Sequence, residues 1–102
     1  MDKYRDLVEY VNQNSVESDP VHMFKIAALW IGWTKGDIVV EDIRRALTEV
    51  GVDIGKFLSP NQVRAAFAGL CGRRRILERQ KPLHYYRLTL RGGEKAKIVF
   101  DF

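Results

Sequence analysis

One stretch of the chain is apolar on nearly every side, and it constrains the fold more than any other feature. From Pro20 to Ile31, apolar residues occupy most positions. A helix that is hydrophobic all round has no face to turn toward water, so it is buried on all sides. We therefore expect a central helix here, with Asp19 as its N-cap and Pro20 at its first position. The same reasoning ends the helix at a break from Gly32 to Gly36.

The rest of the chain has to surround that helix, and its length allows a single domain. The chain has 102 residues, of which 46% are hydrophobic and 29% charged, as in ordinary soluble globular domains. The longest apolar run, Ile26 to Trp33, has eight residues, whereas a membrane span needs roughly 20. The charged N-terminus has no apolar stretch typical of a secretory signal. We expect a cytosolic protein without membrane contact.

The sequence contains few of the residues that catalytic and metal sites commonly use. Cys71 is the single cysteine, and His22 and His84 are the two histidines. One cysteine forms no internal disulfide, and this set lacks the spacing of metal ligands. No arrangement resembling a catalytic triad is present. We therefore expect a protein that is not an enzyme and that needs no cofactor or metal.

Three amphipathic helices are predicted around the central one. The first lies within residues 1–15, the second is opened by Glu41 and Asp42, and the third starts at the cap pair Ser59 and Pro60. Their apolar stripes are, in order, Tyr4, Leu7, Val8 and Val11; Ile43, Ala46, Leu47 and Val50; and Val63, Ala66, Phe67 and Leu70.

Extended segments are predicted at two places. Val39 and Val40 form a short extended stretch, and two β-prone runs, Arg75–Gln80 and Tyr85–Thr89, flank the four residues 81–84. The two runs predict a β-hairpin, and Thr89 predicts the cap of a last helix. The fold class expected is α+β, mostly α.

Two stretches carry a resemblance to known regulators. The segment from Ser59 to Leu70, continued by Arg74 to Arg79, resembles the recognition helix and first wing strand of MarR- and PadR-like regulators. The segment Tyr86 to Gly92 resembles their closing strand and the start of the next helix. This implies a winged helix-turn-helix domain over residues 20–102, with a two-stranded wing and residues 1–15 as an extra N-terminal helix. The link from Gly51 to Leu58 is longer than a standard helix-turn-helix turn.

Charge is divided unevenly along the chain. Residues 1–58 carry seven basic and ten acidic residues, a net charge of −3, and residues 59–102 carry ten basic and three acidic ones, a net charge of +7. This pattern is typical of a C-terminal half that faces a polyanion, most often nucleic acid. The alternative is that the basic residues only keep the surface solvated.

The resemblance places one face of the helix after Ser59 in the major groove of DNA. At 100° per residue the face opposite the apolar stripe carries Asn61, with Gln62 and Arg64 at its edges. Arginine pairs with guanine, and asparagine or glutamine with adenine, through two hydrogen bonds each. The other outward residues are small (Ala65, Ala68, Gly69 and Gly72). This composition predicts modest sequence specificity, or a protein partner instead of DNA.

Basic residues beyond this helix are candidates for phosphate contacts. Arg73, Arg74 and Arg75 follow the helix directly, where one of them would suffice to cap its carbonyl end. Three in a row favour phosphate binding. Further candidates are in the hairpin: Lys81, His84 and Arg87. For the wing tip itself, a merely solvated polar turn is the alternative.

These features predict a domain that binds double-stranded DNA, as a transcriptional regulator or an accessory DNA-binding factor. The alternative is a winged-helix module that binds another protein within a larger repair, defence or replication system. A homodimer is also expected, because the stripe within residues 1–15 and the apolar C-terminal end both need a cover.

Overall fold

The computed structural model describes residues 4–14, 20–51, 59–72, 75–80 and 85–102. Within them the chain is α+β and mostly helical, which confirms the coarse fold class. The elements in chain order are α1 (Arg5–Asn14), α2 (Pro20–Thr34), α3 (Val40–Glu49), α4 (Pro60–Cys71), β1 (Leu77–Gln80), β2 (Tyr85–Leu88) and α5 (Leu90–Phe100). None of the described helices is long and apolar enough to cross a bilayer.

Helix α2 is the centre of the core, as its sequence predicts. It packs against α3, α4, α5 and β2. Met23, Phe24 and every residue from Ile26 to Ile31 are buried. The Phe24 ring meets the Phe67 ring of α4 edge-on, with 5.3 Å between centroids. Because α2 touches most other elements, its packing sets the position of α4 and of the hairpin.

Helix α2 ends at Thr34, inside the predicted break from Gly32 to Gly36, but Gly32 itself is still helical. A Cβ atom at Gly32 would lie 2.5 Å from Leu88 Cγ and 2.8 Å from Ile38 Cδ1. The glycine therefore lets the helix approach the hairpin closely. The turn comes at Gly36, whose φ of +99° suits glycine.

The two strands form an antiparallel hairpin, with Leu77 paired to Leu88 and Gln80 to Tyr85. A third chain segment joins at Ile38, which bridges to Tyr86 through backbone hydrogen bonds of 2.7 and 2.9 Å. The extended residue is thus Ile38 and not the predicted Val39–Val40 pair, because Val40 already begins α3. The lateral order is Ile38, β2, β1.

Two of the three predicted N-caps, Ser59 and Thr89, are confirmed, whereas Asp19 lies outside the described residues. The Ser59 side chain accepts a hydrogen bond from the Gln62 N–H, and the Thr89 side chain accepts one from the Gly92 N–H. The Thr89 hydroxyl also donates to the carbonyls of Arg75 and Ile76. β1 begins at Leu77, two residues later than predicted, because Arg75 has a left-handed φ of 49°.

Helix α1 packs on the same core as the rest of the chain. Leu7 and Val11 of its apolar stripe are buried in that core. The Tyr10 hydroxyl lies 3.1 Å from His22 Nε2 on α2, and the Tyr10 ring contacts Phe100 of α5. Burial raises the pKa of the Tyr10 hydroxyl. Most of the α1 stripe is therefore covered by the chain itself, and dimerisation stays a prediction.

Candidate nucleic-acid interface

The outward face of α4 is the one that the sequence predicts. Asn61, Gln62 and Arg64 are exposed. On the opposite side Val63, Ala66, Phe67 and Leu70 are buried. The small residues Ala65, Ala68 and Gly69 are also exposed. The outward face of α4 therefore carries three longer polar side chains near its N-terminus and only small side chains further along.

Gln62 has a structural role that the sequence reasoning missed. Its side-chain oxygen accepts a hydrogen bond of 2.8 Å from the Ser59 N–H, while the Ser59 hydroxyl accepts one from the Gln62 N–H. Pairing with adenine through two hydrogen bonds uses both the amide oxygen and the amide nitrogen. The capping box occupies that oxygen. A serine followed three residues later by glutamine is its sequence signature.

A small groove of about 290 Å³ lies between α4 and the hairpin. Its apolar wall is formed by Phe67 and Tyr86, whose rings stack with 4.2 Å between centroids and 5° between planes. Arg64 and Arg79 line the same groove. The geometry therefore brings one helix arginine and one strand arginine to a common site.

Two groups in this groove have shifted proton affinities. Burial raises the pKa of the Cys71 thiol, and nearby Arg79 partly offsets that effect. Burial likewise raises the pKa of the Tyr86 hydroxyl. Both side chains therefore stay protonated at neutral pH, and the thiol lacks the thiolate character of a nucleophile.

Arg79 did not emerge from the sequence as a site residue. It pairs with Tyr86 across the hairpin, and residues directly opposite in an antiparallel pair share a face. Only the register of the strands shows that this face is the one toward α4. The composition of the strand does not indicate on which face of the hairpin Arg79 lies.

Arg87 lies on the other face of the hairpin, opposite Glu78. Its Nε donates to Asp37 Oδ1 at 2.9 Å, and its guanidinium lies 5.5 Å from the Tyr85 ring centre. The hydrogen bond to Asp37 raises the pKa of Arg87 further. The structure does not group Arg87 with Arg64 and Arg79, and a phosphate there would compete with Asp37.

Arg75 lies between α4 and β1 with an exposed side chain. Its carbonyl accepts the Thr89 hydroxyl, which ties this backbone to the start of α5. Arg91 lines a shallow groove together with Arg75. Of the other predicted site residues, Arg73, Arg74, Lys81 and His84 lie outside the described residues.

Within the described ranges, no three His, Cys, Asp or Glu side chains cluster as metal ligands would. Comparisons with protein-family models, with curated proteins and with solved structures give no match to this chain.

Proposed function

We propose that this chain is a winged-helix domain that binds double-stranded DNA, with modest sequence specificity, as a transcriptional regulator or an accessory DNA-binding factor. The observation that carries this proposal is the joint position of Arg64 and Arg79. They line one groove between an exposed helix and a hairpin, in the half of the chain that carries a net charge of +7 from ten basic and three acidic residues.

The connectivity supports the winged-helix assignment. Helix α4 directly precedes the hairpin along the chain, and Ile38 between α2 and α3 pairs with β2 on the side away from β1. A wing of this kind places two strands beside the helix that enters the major groove. The exposed face of α4 is then the surface that meets base edges.

The proposed mechanism divides the contacts into two kinds. Arginines bind phosphates, which supplies affinity without reading sequence. Asn61 and Arg64 read bases through paired hydrogen bonds, and Gln62 contributes less because its oxygen caps the helix. The small side chains of Ala65 and Ala68 let the helix come close to the duplex but offer no hydrogen-bonding group.

Arg64→Ala tests the base-reading role. Loss of a bidentate guanine contact is expected to cost about 1 to 3 kcal/mol on a preferred DNA site selected from a random pool, and little on random DNA. Fluorescence anisotropy with both DNAs measures the difference. Arg5→Ala, which removes an exposed arginine of α1 paired with Glu9, is the control and should leave both affinities unchanged.

Two other results of this binding experiment would change the assignment. Equal losses on both DNAs would make Arg64 a phosphate contact. No measurable DNA binding by the unaltered chain would favour the second candidate function, a module that binds a protein partner. The observation behind that candidate is the exposed run of small residues on α4 beside the apolar groove.

A homodimer through α5 is part of the proposal. Among the described residues the exposed large hydrophobics are Trp33, Leu90, Ile98 and Phe102. Three of them lie on α5 or follow it, and the Trp33 ring stacks on Phe102 with 5.1 Å between centroids. Light scattering at micromolar concentration should give twice the chain mass, and Ile98→Lys should give the single-chain mass with unchanged circular dichroism. A single-chain mass for the unaltered protein would contradict the dimer.

A further inference from the structure

The side of α5 that faces away from the core carries one stripe of exposed residues. Leu90, Glu94 and Ile98 are spaced four residues apart and therefore lie on one side of the helix. Leu90 is 92% exposed and Ile98 is 81% exposed, whereas Gly92 and Ala96 on the opposite side are buried. The stripe thus has an acidic residue at its centre and a large apolar residue one turn before and one turn after it.

Basic residues flank this stripe with the same symmetry. Arg91 lies three residues before Glu94 and Lys97 lies three residues after it, and both are exposed. The Lys97 ammonium lies 5.7 Å from the centre of the Trp33 ring. In either direction from Glu94, the exposed face therefore presents a cation at the third position and a large apolar side chain at the fourth. The chemistry of this face is the same in both directions along the helix.

This symmetry is what an antiparallel pair of identical helices needs. A two-fold interface is self-complementary, because residue i contacts residue j of the partner and residue j contacts residue i. With the two-fold axis beside Glu94, Leu90 meets the partner's Ile98, so the exposed apolar side chains cover each other. Each Glu94 carboxylate then has the partner's Arg91 and Lys97 three positions away on either side. The antiparallel alignment also places the positive end of one helix dipole beside the negative end of the other.

We propose that α5 pairs antiparallel with α5 of a second copy of the chain, with the two-fold axis beside Glu94. The inference rests on the homodimer of the proposed function and adds to it the orientation and register of the two helices. A parallel pair needs no symmetry within the stripe, since each residue would meet its own copy. The repeated pattern on both sides of Glu94 therefore favours the antiparallel pair.

Disulfide trapping of the full chain tests this register. Two packed helices have axes about 8 to 10 Å apart, and each Cα lies about 2.3 Å from its axis. The Cα atoms of the two Glu94 residues are then about 4 to 5 Å apart, which a disulfide can span. The two copies of Leu90 are about 12 Å apart along the helices, and so are the two copies of Ile98. These distances are too long for a disulfide.

Cys71→Ser removes the half-buried native thiol, and one cysteine at a time then replaces Leu90, Glu94 or Ile98. We expect mild oxidation to give a covalent dimer with Glu94→Cys and none with Leu90→Cys or Ile98→Cys alone. A mixture of the Leu90→Cys and Ile98→Cys chains should give the mixed dimer. Lys95→Cys is the matched control, because this exposed residue is next in sequence but about 100° further round the helix. It should not cross-link.

The other results overturn the proposal in distinguishable ways. Cross-linking of all three single-cysteine chains would show that the helices are parallel. No cross-linking in a chain that light scattering shows to be dimeric would overturn this register and leave the homodimer of the proposed function standing. A single-chain mass for the unaltered protein would overturn both.

A charge swap tests the contacts without cysteines. Glu94→Lys adds a third cation between Arg91 and Lys97, and repulsion should weaken self-association by at least about tenfold. The double variant Arg91→Glu with Lys97→Glu has the same defect with the opposite sign. A mixture of the two variants brings opposite charges together, so their heterodimer should be at least about tenfold tighter than either homodimer in sedimentation with one variant dye-labelled. No preference for the heterodimer overturns the proposal.

Discussion

Neutralising Arg73, Arg74 and Arg75 together is expected to flatten the salt dependence of DNA affinity by about 2 to 3 units of log–log slope. With about five phosphates neutralised, the unaltered chain should have a slope of about −4 to −5. Each arginine that binds a phosphate releases condensed counterions, and each release adds about 0.9 to the slope on double-stranded DNA. The loss in affinity should therefore be largest at low salt and shrink as salt rises.

Substitution by glutamine keeps the side-chain stem and removes only the charge. This matters at Arg75, where a left-handed φ of 49° makes a β-branched replacement costly. The control is the triple variant Arg5→Gln, Lys95→Gln and Lys97→Gln, which lowers the net charge by the same amount on α1 and α5. It should leave the slope nearly unchanged. Equal flattening in both triple variants would mean that net charge, and not the arginine cluster, sets the salt dependence.

The features that the sequence predicts well are those set by neighbouring residues. The sequence predicted two helix starts, one at Ser59 followed by Pro60 and one at Thr89. The side chains of Ser59 and Thr89 both cap helices in the structure. The buried face of α4 was likewise predicted, because a period of 3.6 residues determines which side chains lie together. Local spacing and local hydrogen bonds are enough for such features.

The features that the sequence does not predict depend on contacts between distant segments. The predicted break began at Gly32, yet Gly32 lies inside α2, where an added Cβ would clash with Leu88 and Ile38. Arg87 was predicted as a phosphate contact, and its partner Asp37 is 50 residues away. Arg79 joined the candidate site only through its register with Tyr86. No periodicity within one element carries this information.

Two adjacent glycines of α5 should respond in opposite ways to the same added methyl group. A Cβ at Gly92 would lie 2.1 Å from the Ile76 carbonyl oxygen and 3.1 Å from the Ile76 carbonyl carbon. Because these are backbone atoms directly before β1, the helix or the hairpin has to move. We expect Gly92→Ala to lower the free energy of unfolding by about 3 kcal/mol, the upper part of the usual range for overpacking.

At Gly93 the nearest atom to an added Cβ is Trp33 Cζ3 at 3.9 Å, an ordinary contact distance. Alanine in a helix interior is about 1 kcal/mol more favourable than glycine, so Gly93→Ala should raise the free energy of unfolding by about that amount. The two variants should therefore differ by about 4 kcal/mol in urea unfolding, and their thermal midpoints by about 15 to 30 °C for a domain of this size. Equal stability of Gly92→Ala and Gly93→Ala would mean that α5 does not pack closely against the Ile76 backbone. The packing of this helix against the hairpin would then be wrong.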